Sequence, residues 1–194
     1  MSDNKHINVV VGKDCRIDPD SDLENVICGD NVVINSGAQL KNVVVGNNTK
    51  VSRHVTLYAL SPEAPVLVGK NVWFGPGVFG EATGGTLKFG DHTGIGHFST
   101  FLTSSGPGEK SMILNELYPT ELGPIIVGDY CWLGAHSLFL PGVDLAEGVT
   151  IGSNSVVRNI IYKPWSLYAG SPAVYKRTFD MNKVNELKKK YGLD

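Results

Sequence analysis

I-I-V-G-D-Y-C-W-L-G-A-H-S-L-F-L-P-G-V-D, residues 125–144, decides the fold. Val127, Leu133 and Phe139 stand six residues apart in it. Each opens a unit of one large apolar residue, a Gly or another residue, two turn-forming residues, a small residue and one more. A period of six matches neither the helical repeat of about 3.6 nor the strand repeat of about 2. It is the beat of a parallel β-helix, in which every hexad is a short strand followed by a turn.

Working outward, the same unit recurs along the chain, and the units group in threes. The opening residues are Val11, Ile17, Leu23; Cys28, Ile34, Leu40; Val45, Val51, Leu57; Val68, Phe74, Gly80; Phe89, Ile95, Phe101; Val127, Leu133, Phe139; and Leu145, Ile151, Val157. With the three sides named a, b and c, every a-to-b and b-to-c step is six. All irregular steps fall at the c-to-a corner: five after Leu23 and Leu40, eleven after Leu57, nine after Gly80 and twenty-six after Phe101. One corner that collects every insertion implies a triangular prism of about seven coils with its loops on one edge. The opening residue and the small fifth residue (Cys15, Ser21, Ala38, Thr49, Val55, Ser99, Cys131, Ser137, Ser155) are expected to point inward. The expected division is a lead-in over 1–10, the β-helix over 11–177 with a loop at 104–126, and a tail over 178–194. The tail reads as a short helix, with Asp180 as N-cap, Val184, Leu187 and Tyr191 on one face, and Lys188, Lys189 and Lys190 solvated.

The 194 residues carry a net charge of -2, which does not favour a nucleic-acid or anionic-membrane partner. No apolar run reaches transmembrane length and the polar start is unlike a signal peptide, so a cytoplasmic location is expected. Three unpaired internal cysteines fit a reducing compartment and are not expected to be catalytic.

The stretch from Gly123 to Asp144, the continuation E-G-V-T-I-G-S-N-S-V-V from Glu147, and S-L-Y-A-G-S-P-A-V-Y-K-R from Ser166 resemble the hexapeptide-repeat acyltransferases. Within them the chain is most similar to the maltose-acetyltransferase and polysaccharide O-acetyltransferase branch. The resemblance implies an all-β, left-handed parallel β-helix, assembly as a homotrimer, acetyl-CoA as co-substrate with no metal, and active sites between subunits. It implies O-acetyl transfer to a sugar or polysaccharide precursor. Gly134 and Ala135 would leave room for the pantetheine arm; Ala169, Gly170, Lys176 and Arg177 would complete the CoA site. The chain departs from this branch in one respect: the loop at 107–123 lacks the usual catalytic histidine.

Transfer from a thioester to a hydroxyl needs a base, and histidine suits that near neutral pH. His6 reads as surface; His54 and His92 read as turn residues. His97, third in its hexad after I-G, has a setting similar to that of the catalytic histidine in other β-helix acyltransferases. His136 falls on the same side one coil later. The pair His97 and His136 are the candidate bases, with His97 preferred. Ser104, Ser105, Tyr118 and Trp132 are candidate acceptor contacts, and Glu109, Glu116 or Glu121 could orient a histidine. Two other classes compete. A γ-type carbonic anhydrase needs three histidines on zinc; His92 and His97 have a suggestive separation, but their hexad positions do not fit. A β-helix binding or scaffold protein would need no base.

Overall fold

The computed structural model describes residues 5–108 and 110–193. The chain forms a left-handed parallel β-helix, and the strands pair in the register set by the hexads. On side a, Val11, Cys28, Val45, Val68, Phe89, Val127 and Leu145 lie opposite one another in successive coils. Side b stacks Ile17, Ile34, Val51, Phe74, Ile95, Leu133 and Ile151. Side c stacks Leu23, Leu40, Leu57, Gly80, Phe101, Phe139 and Val157. The small fifth residues are buried from Ser21 onward, and Cys15 is half-buried in the first coil. Val11 is also 48% exposed, because the first turn of a stack has nothing beneath it.

The prism extends past the expected repeats at both ends. Strand His6–Val11 pairs in parallel with Asp22–Cys28, placing His6 opposite Leu23 on side c, so part of the expected lead-in belongs to the stack. After Val157, Tyr162 is buried, and Tyr168 stacks on Ile151 on side b. The chain then reverses, and Val174–Thr178 runs antiparallel to Ser166–Ala169.

Phe74, Phe89, Phe101 and Phe139 form a ladder inside, with successive centroids 5.0, 4.9 and 4.4 Å apart. The interior has room for them because Gly80, on side c of the Phe74 coil, has no side chain; a Cβ there would meet Leu57 and Leu87. Turns between sides put the fourth hexad residue in the left-handed region. Asn31, Asn48, His54, Asn71, His92, His136 and Asn154 all have φ near +56°, the backbone state that Asn and His adopt most readily among non-glycine residues. The five-residue corner uses Asn8, Asn25 and Asn42 in the same way. Their amides form a ladder: Asn8 donates to Asn25 at 3.0 Å, Asn25 to Asn42 at 2.9 Å, and Asn42 to the Ala59 carbonyl at 2.8 Å.

The long insertion leaves the c–a corner as a hairpin. Ser104–Ser105 pairs antiparallel with Glu121–Leu122, and helix α1 (Met112–Leu117) lies between them. Helix α2 (Met181–Tyr191) starts at Asp180, whose carboxylate accepts the N–H of Asn182, and ends at Gly192 in the left-handed conformation. Val184 is its buried residue. Lys188 differs from the solvated reading: it bonds Glu147, forty-one residues earlier, at 2.6 Å and lies 5.3 Å over the Trp165 ring.

Candidate active site

The two six-residue edges of the prism differ in how their turn amides are satisfied. On the a–b edge, wherever the third residue one coil on is Asp or Asn, its Oδ1 accepts the N–H of the third residue before it. Lys13 bonds Asp30, Asp30 bonds Asn47, Lys70 bonds Asp91 and Asp91 bonds Asp129, at 2.7–2.9 Å. The b–c edge has the corresponding column His97, Ala135, Ser153, Gly170. Ala135 has no oxygen to offer the His97 amide, and Gly170 has none to offer that of Ser153. The N–H groups of His97, Ala135 and Ser153 therefore line this edge without the carboxylate and amide oxygens found on the other, while that of Gly170 bonds the Ser155 hydroxyl at 3.0 Å.

Both edges have small residues at the second hexad positions, and here the neighbouring third positions are small as well after His97. Gly96, Gly134, Gly152 and Ala169 hold the second positions, directly beside the third-position column. A Cβ on Gly96 would lie 2.4 Å from the Ala135 nitrogen, and one on Gly134 2.4 Å from the Ser153 nitrogen. The result is a narrow track with only Ser153 as a polar side chain, running from His97 toward the C-terminal end. Gly134, Ala135, Ala169 and Gly170, named from the sequence, all lie on it.

His97 stands at the head of the track, exposed, with its ring edge-on to Trp73 at 5.7 Å. Trp73 stacks in parallel with Trp132 at 6.1 Å, with Gly94 in the coil between them. Trp132 is half exposed. Trp73 is not among the sequence candidates, although its N-V-W-F-G context echoes C-W-L-G around Trp132. His136 bonds through its backbone N–H to the His97 carbonyl at 2.8 Å, but its ring stacks on Phe98 at 5.2 Å. His92 lies on the a–b edge, stacked on Tyr130 at 4.9 Å, so the two histidines suggestive of zinc stand on different edges.

Ser104, Ser105 and Tyr118 belong to the hairpin on the c–a edge, and side c separates them from His97 within one chain. Glu109 lies outside the described residues. On side c, a groove of about 720 Å³ runs between the hairpin and the C-terminal reversal. Glu121, Leu122, Leu140, Arg158, Asn159 and Val174 are among its walls. Sequence reasoning misses Arg158 because it sits at an outward strand-end position with no motif around it. Lys176 and Arg177 lie on the exposed reversal strand, where the Arg177 guanidinium covers the Phe179 ring at 5.5 Å.

Residues 124–159 match the family described as bacterial transferase hexapeptide (six repeats). A Staphylococcus aureus (strain Mu50) protein named as an acetyltransferase is 42% identical over 72 residues, 37% of this chain and 35% of its own. The Escherichia coli (strain K12) protein WbbJ, named as a lipopolysaccharide biosynthesis O-acetyl transferase, is 35% identical over 69 residues, 36% of this chain and 35% of its own. The aligned part thus spans about a third of the length of these relatives. A single-residue mutant of AntD, an N-acyltransferase from Bacillus cereus, in complex with dTDP and coenzyme A, superposes with a TM-score of 0.67 at 20% identity, over 95% of this chain and 90% of its own. By sequence and fold together, the chain is a left-handed β-helix with the fold of the hexapeptide-repeat acyltransferases, and its most specific stretch, residues 124–159, is of the bacterial transferase hexapeptide type.

Proposed function

We propose that this protein transfers an acyl group, acetyl in the first instance, from acyl-CoA to a hydroxyl of a sugar or polysaccharide precursor. The observation that supports the reading is the run of backbone N–H groups of Ser153, Ala135 and His97, which meet no side-chain oxygen of the next coil. Pantetheine is thin and carries two amide carbonyls, so it needs a side-chain-free channel lined with donors. Arg158, which shares its groove with Pro172 and Ala173 just beyond Gly170, and Arg177 on the reversal strand suit the phosphates of CoA through charge-assisted contacts. Trp132 offers a flat apolar face for the acceptor's C–H surface.

In this reading the His97 imidazole takes the acceptor hydroxyl's proton as the oxygen attacks the thioester carbonyl carbon. Backbone N–H groups of the edge stabilise the oxyanion that forms. The intermediate collapses, the C–S bond breaks, and the imidazolium returns the proton to the departing thiolate. The products are the ester and free CoA.

The site so drawn lacks its hairpin, since Ser104, Ser105 and Tyr118 stand on another edge. A homotrimer supplies it: the hairpin of one subunit lies over the His97 edge of the next. Helix α1 supports this, because Met112, Ile113, Leu114 and Leu117 are all exposed and none of its residues is buried in its own chain. Closed cyclic symmetry would cover three such helices at once.

The deciding experiment is an acetyl-CoA turnover screen against free sugars, nucleotide sugars and capsular oligosaccharides, with His97→Ala as control, alongside light scattering. Turnover lost in the control and a threefold mass support the reading. Binding of acetyl-CoA without turnover on any acceptor supports a binding protein instead, and a monomer at micromolar concentration removes the shared site.

A further inference from the structure

Glu81 is 4% exposed, yet it occupies an outward position on side c, one residue after Gly80. None of the ion pairs among the described residues includes it. Its carboxylate is instead surrounded by neutral donors from two separate segments. One oxygen accepts the backbone N–H of Thr83 at 2.8 Å, together with the Thr83 hydroxyl. The other accepts the backbone N–H of Ser104 at 2.9 Å. The Thr103 hydroxyl lies 3.4 Å from both oxygens, donates to the Glu81 carbonyl at 3.1 Å and accepts the Gly84 N–H at 2.9 Å.

Thr83 and Gly84 belong to the bend that closes one coil at the c–a corner; Thr103 and Ser104 begin the hairpin at the same corner one coil later. These two segments meet at the carboxylate. The contact is tight: a Cβ on Gly84 would lie 2.2 Å from the Thr103 carbonyl oxygen. That Thr103 carbonyl also accepts the Gly123 N–H at 3.0 Å, on the hairpin's outgoing side. A buried carboxylate without a cation is costly unless its acceptor sites are filled, so its retention here reflects what it binds.

We propose that Glu81 is a positioning residue that latches the base of the 103–122 hairpin to the preceding coil, and so sets where Ser104 and Ser105 stand. The chemistry requires a carboxylate. Each oxygen accepts a backbone N–H, and a backbone N–H cannot reverse its role as a hydroxyl can. Glutamine has one acceptor oxygen, so its NH₂ would face one of the two donors and leave it unpaired. Aspartate is a methylene too short to reach both segments. The latch rests on geometry alone; its consequence for catalysis rests on the acyltransferase reading, in which the hairpin contributes to the acceptor site.

Hydrogen exchange tests the latch without turnover, on the full chain in its native assembly. In Glu81→Gln, exchange in peptides spanning Thr83 and Ser104 should rise by about tenfold to a hundredfold, the scale of one lost bond to a charged acceptor. Peptides spanning Ile95 and Leu133 should be unchanged. Unchanged exchange at Thr83 and Ser104, or an equal rise everywhere, overturns the proposal. Thr103→Val serves if E81Q does not fold: it keeps the carboxylate and both backbone bonds, so Gly84 should lose protection while Ser104 keeps it. Loss at Ser104 as well would show that the carboxylate is not what holds it. Where the wild type turns over, E81Q should raise the acceptor KM severalfold and leave acetyl-CoA affinity unchanged; equal weakening of both overturns the positioning role. A wild type without turnover sinks the acyltransferase reading, and exchange still decides the latch.

Discussion

The backbone N–H of His136 bonds the His97 carbonyl at 2.8 Å, while the two imidazoles have different neighbours, Trp73 for His97 and Phe98 for His136. Adjacent in the stack, they differ by one hexad position. His97 is third and stands in the track. His136 is fourth, at φ +58°, where its backbone makes the turn.

Their substitutions should therefore separate. With His97 as the proposed base, His97→Ala should lower kcat by about 10²–10⁴-fold with acetyl-CoA affinity retained. His136→Ala should lower kcat far less and act mainly on stability, through the lost ring stack and the less favourable left-handed turn. Steady-state kinetics with thermal melts checks both; the reverse pattern would exchange their roles.

Ala135→Asp should close the track. On the a–b edge an aspartate in this position accepts the amide of the coil before it. At 135 it would take the His97 N–H and place a negative charge along the proposed CoA path. Acetyl-CoA affinity by calorimetry should fall by about tenfold or more with the melting temperature little changed. Wild-type affinity would place the pantetheine elsewhere.

Arg158→Ala and Arg177→Ala should each weaken acetyl-CoA binding by about 1–2 kcal/mol if their guanidiniums meet phosphate. Dephospho-CoA, which lacks the 3′-phosphate, should lose sensitivity to whichever arginine binds that group. An arginine whose removal leaves affinity unchanged is outside the site.

Asn42→Ala should destabilise the fold without touching the site. Asn42 is 1% exposed, accepts from Asn25 and donates to Ala59. Its removal leaves the buried Ala59 carbonyl and the part-buried Asn25 amide without this partner, at a cost of about 1–3 kcal/mol. Denaturant titration should show the loss with acetyl-CoA affinity unaffected.

Burial pushes the thiols of Cys28 and Cys131 up to about 12 from the ordinary 9.0. Folding thus favours the neutral thiol. The associated stability is complete below pH 9.0 and is lost as pH rises toward 12, because the unfolded chain ionises first. Native protein at about pH 8, below both values, should leave both thiols unlabelled by a thiol reagent until it is unfolded. Rapid labelling of either in the native state would contradict their burial.

The stacking register was legible because it is a property of spacing. Six residues return the chain to the same relation with the core, so Val127 must lie over Phe89 once the insertion is assigned to the corner. The position of His97 followed by the same count. Trp73, Arg158 and Glu81 were not legible in this way. Each is an outward residue, and its meaning depends on which segment from another coil covers it.

Sequence by itself determined the prism, its three sides, the corner that takes the insertions and the columns to which His54, His92, His97 and His136 belong, because inward apolar residues repeat locally along the chain; the place of His6 opposite Leu23 came from the structure. Only the tertiary structure decided that the His97, Ala135 and Ser153 amides of the b–c edge meet no side-chain oxygen of the next coil, that Glu81 is buried beneath the hairpin, and that the hairpin stands on a different edge from His97. Those relations join atoms of different coils. A hexad specifies which residues face outward, and only the coil laid upon it determines which of their hydrogen-bonding groups are already taken.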